Sequence, residues 1–215
     1  MWFTRFGPIL LLALGCGAPP KEPEKSPNPA QARWDARFSS PSYVYGKEPV
    51  EFLARNVALL PKGKALDLAA GEGRNAVFLA QNGFEVDAVD ISPVGLKKAE
   101  ALAAERGVRI RTIAADLEDF DLGTERYEVI SNLYYLQRSL IPRIKRALKP
   151  GGVVVFEMFT LDNLGIPGAH GPKDRNWLLE PGELRRLFDG FEVLRWSETK
   201  DDKKAAASLL ARKPR

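Results

Sequence analysis

The chain has 215 residues and a formal net charge of +4, and 45% of its residues are hydrophobic. This length allows one domain of ordinary size with a real hydrophobic core. Basic and acidic residues are interspersed, which argues against a nucleic-acid groove and for a mixed, solvated surface. Because there is only one cysteine and one histidine, no cluster of these ligands can form and we expect no metal site.

The N-terminal segment has the features of a secretory signal. One early cation precedes an apolar run at 9–14, and small residues lead to Cys16. The run 12–16, LALGC, is similar to a bacterial lipobox, although leucine is more usual at its second position. We therefore predict a signal peptide over residues 1–15 and a lipidated Cys16 that anchors the protein to a membrane, on its periplasmic or extracytoplasmic face. The alternative is a mis-assigned start codon, which would leave the protein in the cytoplasm.

The next segment is predicted to be a tether. Residues 17–28 are rich in proline and charge and have almost no large apolar side chains, so they cannot bury enough surface to fold. We place the disordered tether at residues 16–33 and the folded domain at 34–215. Aromatic residues return from Trp34 to Tyr45, and a helix is predicted at 49–60.

The segment 65–80, ALDLAAGEGRNAVFLA, predicts a strand, a glycine turn and a helix. The apolar run at 65–68 is too short for a helix and is followed by Gly71 and Gly73, after which apolar residues recur at helical spacing. Glycine allows a positive φ and a close approach by a ligand. The free N–H groups at a helix start attract anions and polar ligand atoms. A glycine turn between strand and helix is nevertheless common, so this signal is weak by itself.

Three acidic residues strengthen the prediction of a ligand site at the glycine turn. Asp67, Asp90 and Asp116 each stand near the end of a predicted strand. Ligands of open α/β sheets bind outside the carboxyl ends of the strands, so the three carboxylates should converge on one crevice. Asp90 lies 19 positions after Gly71, near the spacing at which an acid binds ribose hydroxyls in dinucleotide folds. The sequence at 71–76 also fits the looser G-x-G-x-x-A fingerprint of dehydrogenases, which is a competing interpretation.

Strands and helices continue to alternate beyond this unit. The predicted strands are 85–89, 109–114, 128–132, 153–159, 191–198 and 206–212, and the predicted helices are 94–106, 140–148 and 181–188. Strands separated by helices indicate a parallel sheet with helices on both faces and right-handed crossovers. The last two strands, joined by a polar turn, indicate an antiparallel hairpin. The predicted fold class is therefore α/β, with a doubly wound, seven-stranded, mostly parallel sheet and a C-terminal antiparallel hairpin.

The glycine turn resembles motif I of the class I S-adenosylmethionine-dependent methyltransferases. The usual form of that motif is an acid followed by three glycines at alternate positions. Asp67, Gly71 and Gly73 match it, while Ala69 stands where the first glycine is usual. A nicotinamide fingerprint requires neither an acid four residues before its first glycine nor a third acid such as Asp116. We therefore prefer the methyltransferase interpretation.

A narrower resemblance covers about residues 43–212. The run GEGRNAVFLA, LKPGG at 148–152 and LLEPGEL at 178–184 are shared with the tellurite-resistance-type branch of these enzymes. The substrates of that branch are largely unassigned, so the resemblance implies the cofactor and the reaction more firmly than the acceptor.

The resemblance implies S-adenosylmethionine as the cofactor and assigns its contacts. The implied cofactor-binding residues are Asp67 at the methionine ammonium, Gly71 and Gly73 along the methionine part, Asp90 at the ribose hydroxyls, Ile91 on the adenine, Asp116 and Leu117 at the adenine edge, and Asn132 beside the sulfur. The alternative for Asp67 is a carboxylate that binds the N–H groups of the turn. The resemblance also implies that the segment 34–45 lies across the cofactor pocket, although it could simply anchor the first helix.

Two residues are candidates for catalysis. Tyr134 follows the fourth strand, where the family places groups beside the reactive sulfur, and we expect it to contact the reacting atoms. His170, the only histidine, lies in a glycine- and proline-rich loop after the fifth strand, so it is a candidate base or a solvated loop residue. That loop, 164–176, is a second predicted cover of the site.

The sequence thus predicts a membrane-tethered, S-adenosylmethionine-dependent methyltransferase that acts on a small-molecule acceptor such as a thiol or a chalcogen oxyanion. The alternative from another class is a non-catalytic, membrane-tethered module that binds S-adenosylmethionine or another adenosine-containing ligand.

Overall fold

The structure is a computed structural model that describes Met1 and residues 28–215. The predicted signal peptide, Cys16 and most of the predicted tether lie outside the described residues. The helices are α1 Pro29–Phe38, α2 Glu51–Asn56, α3 Arg74–Gln81, α4 Pro93–Glu105, α5 Ile141–Ala147 and α6 Glu183–Leu187. The strands are β1 Lys64–Leu68, β2 Glu85–Asp90, β3 Arg111–Ala114, β4 Tyr127–Leu133, β5 Leu148–Phe159, β6 Glu192–Lys200 and β7 Ala205–Arg212.

The seven strands form one sheet in the order β3-β2-β1-β4-β5-β7-β6. The pairs among β1 to β5 are parallel, whereas β7 runs antiparallel to both β5 and β6. This confirms the predicted fold class, including the C-terminal hairpin. The strand order reverses between β1 and β4, and in such sheets ligands bind outside the carboxyl ends of the strands at that point.

The sheet separates two hydrophobic clusters. Side chains alternate between faces along a strand, so Phe156 of β5 packs in the cluster that includes α5 and α6, while Val155 packs in the cluster that includes α2 and α3. The central strands are buried on both faces, with Leu66 of β1 and Ile130 of β4 at 0% exposure. The apolar runs that predicted these strands are thus explained by burial on both sides.

The predicted boundary of the tether is wrong at its C-terminal end, because residues 29–33 belong to α1. Asn28 caps this helix, since its Oδ1 accepts a hydrogen bond from the Ala30 N–H at 2.9 Å. Pro29 occupies the first turn, where its missing N–H and fixed φ cost nothing. Proline therefore marks a helix start here rather than an extended chain.

Other boundaries differ by small amounts. β5 begins at Leu148, five residues before the predicted strand, because the LKPGG segment already pairs with β4 at Tyr127. The helix predicted at 49–60 is shorter, since regular α-helix covers only Glu51–Asn56 and a 3₁₀ turn follows at Val57–Leu59. In the part of the chain that the structure describes, no helix has the length and apolarity needed to cross a membrane.

Candidate active site

The turn after β1 contains three residues with positive φ. Ala69, Gly71 and Gly73 have φ values of 52°, 53° and 87°. Ala69 therefore adopts the left-handed conformation that the usual motif assigns to glycine, at a cost of about 1–2 kcal/mol for a residue with a Cβ. At Gly73 a Cβ would lie 2.4 Å from the Cβ of Ala99. Glycine is thus required at position 73 by the close packing of α3 on α4.

Asp67 is buried at the carboxyl end of β1, with 1% exposure. It faces Ser131 of β4, whose hydroxyl donates to Asp67 Oδ1 at 2.6 Å. Its second oxygen, Oδ2, has no partner among the described residues. Burial raises the pKa of Asp67 to about 7, although the Ser131 hydroxyl and the nearby Arg74 oppose the shift. The structure therefore places an ionisable carboxylate with one free oxygen at this edge of the sheet.

Asn132 is the second buried polar residue that lacks partners. It lies on β4 opposite Leu68 and is 0% exposed, and within the described residues neither its Nδ2 nor its Oδ1 is hydrogen-bonded. Buried polar atoms are nearly always paired, and each orphan costs about 1–3 kcal/mol. Asp67 and Asn132 are one register position apart on β1 and β4, so their side chains leave opposite faces of the sheet at its carboxyl edge. Their orphaned atoms leave polar groups available to a ligand that lies over these strand ends.

Asp90 ends β2 beside the glycine turn. Its Oδ2 accepts the Gly71 N–H and its Oδ1 accepts the Ser92 N–H, both at 2.8 Å. Burial raises the pKa of Asp90, while these two N–H groups oppose the shift. Asp90 thus fixes the turn against the end of β2. Because a carboxylate oxygen can accept more than one hydrogen bond, ribose hydroxyls could still bind to it.

Helix α1 lies across this edge of the sheet. At its start, Asn28 Nδ2 donates to Asp116 Oδ2 at 2.7 Å. In its middle, Asp35 accepts a hydrogen bond from the Ser92 hydroxyl. At its end, the buried Phe38 ring lies against Gly71, where an added Cβ would be 3.2 Å from Phe38 Cζ. The predicted cover at 34–45 is therefore part of a longer one that begins at Asn28, contacts Asp116 and packs beside the turn that Asp90 holds.

A buried ion pair fixes the segment that follows α1. Glu72, which is 4% exposed, accepts the Val44 N–H at 2.7 Å and pairs with Lys98 of α4. Lys98 Nζ also donates to the carbonyl oxygens of Ser40 at 3.0 Å and Ser42 at 2.7 Å. Neither Glu72 nor Lys98 was predicted from the sequence. Glu72 stands between two glycines of a turn, where an acidic side chain is usually solvated. The sequence therefore provided no reason to expect it to be buried.

Tyr134 lies in a polar network at the end of β4. Its φ is 64°, and its hydroxyl donates to Glu157 of β5. Lys204 Nζ donates to Tyr134 Oη at 2.9 Å and to Glu157 Oε1 at 3.0 Å, and the Ser208 hydroxyl donates to Glu157 Oε2 at 2.8 Å. Burial, with Glu157 nearby, raises the pKa of Tyr134 to about 12. The hydroxyl is therefore protonated and cannot act as a base at neutral pH.

Arg74 begins α3 at the same edge. Its Nη1 donates to the Tyr45 carbonyl oxygen at 2.9 Å. Burial lowers the pKa of Arg74, and the nearby Tyr134, Asp67 and Glu157 oppose this shift. None of the ion pairs formed among the described residues includes Arg74. A partly buried guanidinium without a bonded carboxylate thus lies near both Asp67 and Tyr134.

The loop after β5 reaches Tyr134 through Phe159. The Phe159 ring centroid is 4.8 Å from that of Tyr134, and an added Cβ at Gly171 would lie 2.8 Å from the Phe159 ring. His170 is exposed, and Asn163 Nδ2 donates to its main-chain carbonyl oxygen at 2.7 Å. The structure thus brings the predicted second cover to the site but holds His170 by its backbone.

The remaining predicted contacts lie at the β2 and β3 side. Ile91 and Asp116 are half-buried, whereas Leu117 is 4% exposed and packs in the hydrophobic cluster with α5. Burial raises the pKa of Tyr135 to about 12, with Asp116 and Asp90 adding to the shift. Tyr135 is therefore near both acids. No group of three potential ligands for a metal ion occurs in the described part of the chain.

Comparison with known proteins agrees with this geometry. Residues 65–152 match the family described as methyltransferase domain. The ribosomal protein L11 methyltransferase of Thermus thermophilus is 40% identical over 46% of this chain and 39% of its own length. Hemagglutinin 1 of Eikenella corrodens is 30% identical over 63% of this chain and 46% of its own length. The chain thus spans less than half the length of each of these two relatives.

The fold is shared with solved structures. The crystal structure of TehB from Haemophilus influenzae aligns with a TM-score of 0.64 and 20% identity, covering 85% of this chain and 66% of that one. The family match covers the strand, the glycine turn and the acids that were predicted to bind the cofactor. Residues 65–152 therefore match a methyltransferase domain, and the chain has the fold of solved S-adenosylmethionine-dependent methyltransferases.

Proposed function

We propose that the protein transfers a methyl group from S-adenosylmethionine to a small-molecule acceptor at the carboxyl ends of β1 and β4. The observation that carries this proposal is the set of orphaned buried atoms on Asp67 and Asn132. Three buried polar atoms without partners would destabilise the fold if they served no ligand. A donor bound at these strand ends would pair them.

Each residue of the site has a role in holding the donor. Asp67 Oδ2 binds the ammonium and Asn132 binds the amino-acid end. Asp90, already fixed by Gly71 and Ser92, binds the ribose hydroxyls. Helix α1 covers the crevice from Asn28 to Phe38 and keeps water out. The cofactor supplies a methyl group on a positively charged sulfur, which is electrophilic without help from an acid.

Catalysis in this site rests on alignment. Methyl transfer forms one bond to the acceptor as the bond between sulfur and carbon breaks, so holding the two reactants in line supplies most of the effect. Tyr134 is protonated and bonded to Glu157, so it shapes the site beside the reacting atoms and does not remove a proton. We assign no base role to His170, whose side chain is exposed to solvent.

For the acceptor we propose a thiol or a chalcogen oxyanion, supported by the resemblance to the tellurite-resistance-type branch. A thiol attacks as the thiolate after losing its proton to solvent, and a chalcogen oxyanion attacks through a lone pair, so neither needs a protein base. The test is incubation of the purified protein with S-adenosylmethionine and a panel of thiols, selenite and tellurite, with products identified by mass spectrometry. Methylated product supports the enzyme. Binding of S-adenosylhomocysteine without turnover of any of these acceptors would favour the non-catalytic binding module.

We also propose that lipidated Cys16 anchors the protein to a membrane on its extracytoplasmic face, supported by the lipobox-like run at 12–16. Two or more acyl chains are needed for stable anchoring. The mature protein should then begin at Cys16 and fractionate with membranes, and Cys16→Ser should abolish processing. An unlipidated protein in the cytosol would refute the anchor and leave the methyltransferase proposal intact.

A further inference from the structure

Two cationic side chains lie near Tyr134 on the acceptor side of the proposed site. Lys204 comes from the turn between β6 and β7, and its Nζ lies 2.9 Å from Tyr134 Oη. Arg74 comes from the start of α3, just after the turn that follows β1, and Tyr134 follows the adjacent strand β4, so the two residues stand at neighbouring strand ends. The two cations are 130 positions apart in the chain, and α3 and the C-terminal hairpin bring them to the same edge of the sheet.

The carboxylate beside Lys204 and Tyr134 is already bound to other groups of the protein. Glu157 is 3% exposed, and its Oε1 accepts from Tyr134 and Lys204 while its Oε2 accepts from Ser208. Tyr134 keeps its proton and donates a hydrogen bond to Glu157. Both oxygens of Glu157 are thus occupied by Tyr134, Lys204 and Ser208. Neither group has a free atom to accept the proton of a neutral substrate, which favours an acceptor that is already negatively charged.

Both cations retain hydrogen-bond donors for a ligand. A lysine ammonium has three donors, of which Lys204 uses two, and its side chain is 40% exposed. An arginine guanidinium has five donors in a planar fork that suits carboxylates and oxyanions. Arg74 uses one of them on the Tyr45 carbonyl. Beside them, the rings of Tyr134 and Phe159 form an apolar wall.

We propose that Arg74 and Lys204 form an acceptor-binding site beside Tyr134 and that the acceptor is a small molecule carrying a negative charge. This inference rests on the proposed function, because it assigns the second substrate of the same site. It narrows the acceptor to a class that neither the family match nor the relatives specify, and it gives the β6–β7 turn a role in substrate recognition.

The test compares three thiols of similar size that differ in charge, namely 3-mercaptopropionate, 2-mercaptoethanol and cysteamine. Each is titrated into the protein saturated with S-adenosylhomocysteine, and dissociation constants are measured by ligand-observed NMR. The wild type should bind the anionic thiol roughly tenfold or more tighter than the neutral one, as expected for a charge-assisted hydrogen bond. Cysteamine should bind most weakly.

Substitutions assign the preference to the two side chains. Lys204→Gln and Arg74→Gln should each remove most of it, whereas Lys204→Arg should retain it. Lys203→Gln changes the neighbouring exposed lysine of the same turn and should leave the preference unchanged. Thermal unfolding of each variant shows whether it remains folded, and Arg74→Lys replaces Arg74→Gln if the latter does not.

Three results would overturn the proposal. If wild type still binds S-adenosylhomocysteine but binds the three thiols equally, the acceptor is not selected for negative charge. If the preference for the anionic thiol survives both glutamine substitutions, Arg74 and Lys204 do not bind the acceptor. Weaker S-adenosylhomocysteine binding in Arg74→Gln, with the thiol preference intact, would assign Arg74 to the donor's carboxylate. If wild type fails to bind S-adenosylhomocysteine at all, the proposed function itself fails, which is a separate result.

Discussion

Ser131 donates a hydrogen bond to Asp67 across the pair of strands at which the sheet order reverses, and the other oxygen of Asp67 is left without a partner among the described residues. The two side chains lie on one face of the sheet because they are paired in register. One oxygen thus orients the carboxylate, and the other is available to a cation.

This arrangement predicts that donor binding depends on pH through Asp67. Burial raises its pKa to about 7, so the carboxylate is ionised above that pH and neutral below it. The affinity for S-adenosylhomocysteine, whose ammonium needs the ionised form, should fall by up to about tenfold per unit as the pH drops below 7. Calorimetric titrations between pH 5.5 and 8.5 measure this. Asp67→Asn should flatten the profile, and Ser131→Ala should move its midpoint to higher pH; a flat wild-type profile would refute the role of Asp67.

The same pKa predicts the sign of a stability effect in the ligand-free protein. Because the folded pKa of Asp67 lies above its unfolded value, the folded state holds a proton between about pH 4 and 7 that the unfolded state has released. The free energy of unfolding should therefore decrease as the pH rises through this range, by at most about 1.4 kcal/mol per unit from this group. Denaturant unfolding at several pH values measures this dependence. The free energy of unfolding should change less steeply with pH in Asp67→Asn than in wild type.

Ala69 predicts a stabilising substitution. Its φ of 52° is in the left-handed region, where a residue with a Cβ destabilises the folded state by about 1–2 kcal/mol relative to glycine. Glycine in turn lowers stability by about 0.4–1 kcal/mol because it gives the unfolded chain more conformational entropy. Ala69→Gly should therefore raise the free energy of unfolding by about 0.5–1 kcal/mol, as measured in urea. Ala70→Gly is the matched control, because Ala70 has no positive φ and should be destabilised by the same change. Destabilisation of both variants would show that the turn is not strained at Ala69.

Phe38 predicts how α1 is held over the site. Its ring is 3% exposed and lies against Gly71 and Gly95. Phe38→Ala should lower the free energy of unfolding by about 3 kcal/mol or more and accelerate hydrogen exchange over residues 28–45. Leu59→Ala, at a residue that is 40% exposed, should have little effect on either. Unchanged exchange over 28–45 in Phe38→Ala would show that polar contacts alone hold the cover.

Much of the fold could be predicted from local pattern. Alternating strands and helices indicated the parallel sheet, and two apolar strands around a polar turn indicated the hairpin. The start of α1 was missed because the proline-rich, charged composition of residues 17–28 indicates disorder and the predicted tether extended to residue 33, although Asn28 and Pro29 form a helix start. Strand and helix ends were less certain, as at β5, where LKPGG continues the strand.

The candidate site could be predicted only where the motif is local. The resemblance to motif I located the glycine turn, and the strand-end acids followed from topology. The network around Tyr134 could not be found in this way, because Lys204 lies 70 positions from Tyr134 and 47 from Glu157. A lysine in a polar turn indicates only a solvated surface, and no local pattern shows that the hairpin returns it to the end of β4.

The central claim is that the orphaned atoms of Asp67 and Asn132, with Asp90, bind the donor. Its most direct test is calorimetric titration of S-adenosylhomocysteine into wild type and into folded Asn132→Ala and Asp90→Asn variants. The account predicts that wild type binds S-adenosylhomocysteine in preference to a nicotinamide dinucleotide, and that each substitution weakens binding by roughly tenfold or more, as expected for the loss of a hydrogen bond to a charged group. Unchanged affinity in both variants, or tighter binding of the dinucleotide by wild type, would contradict it.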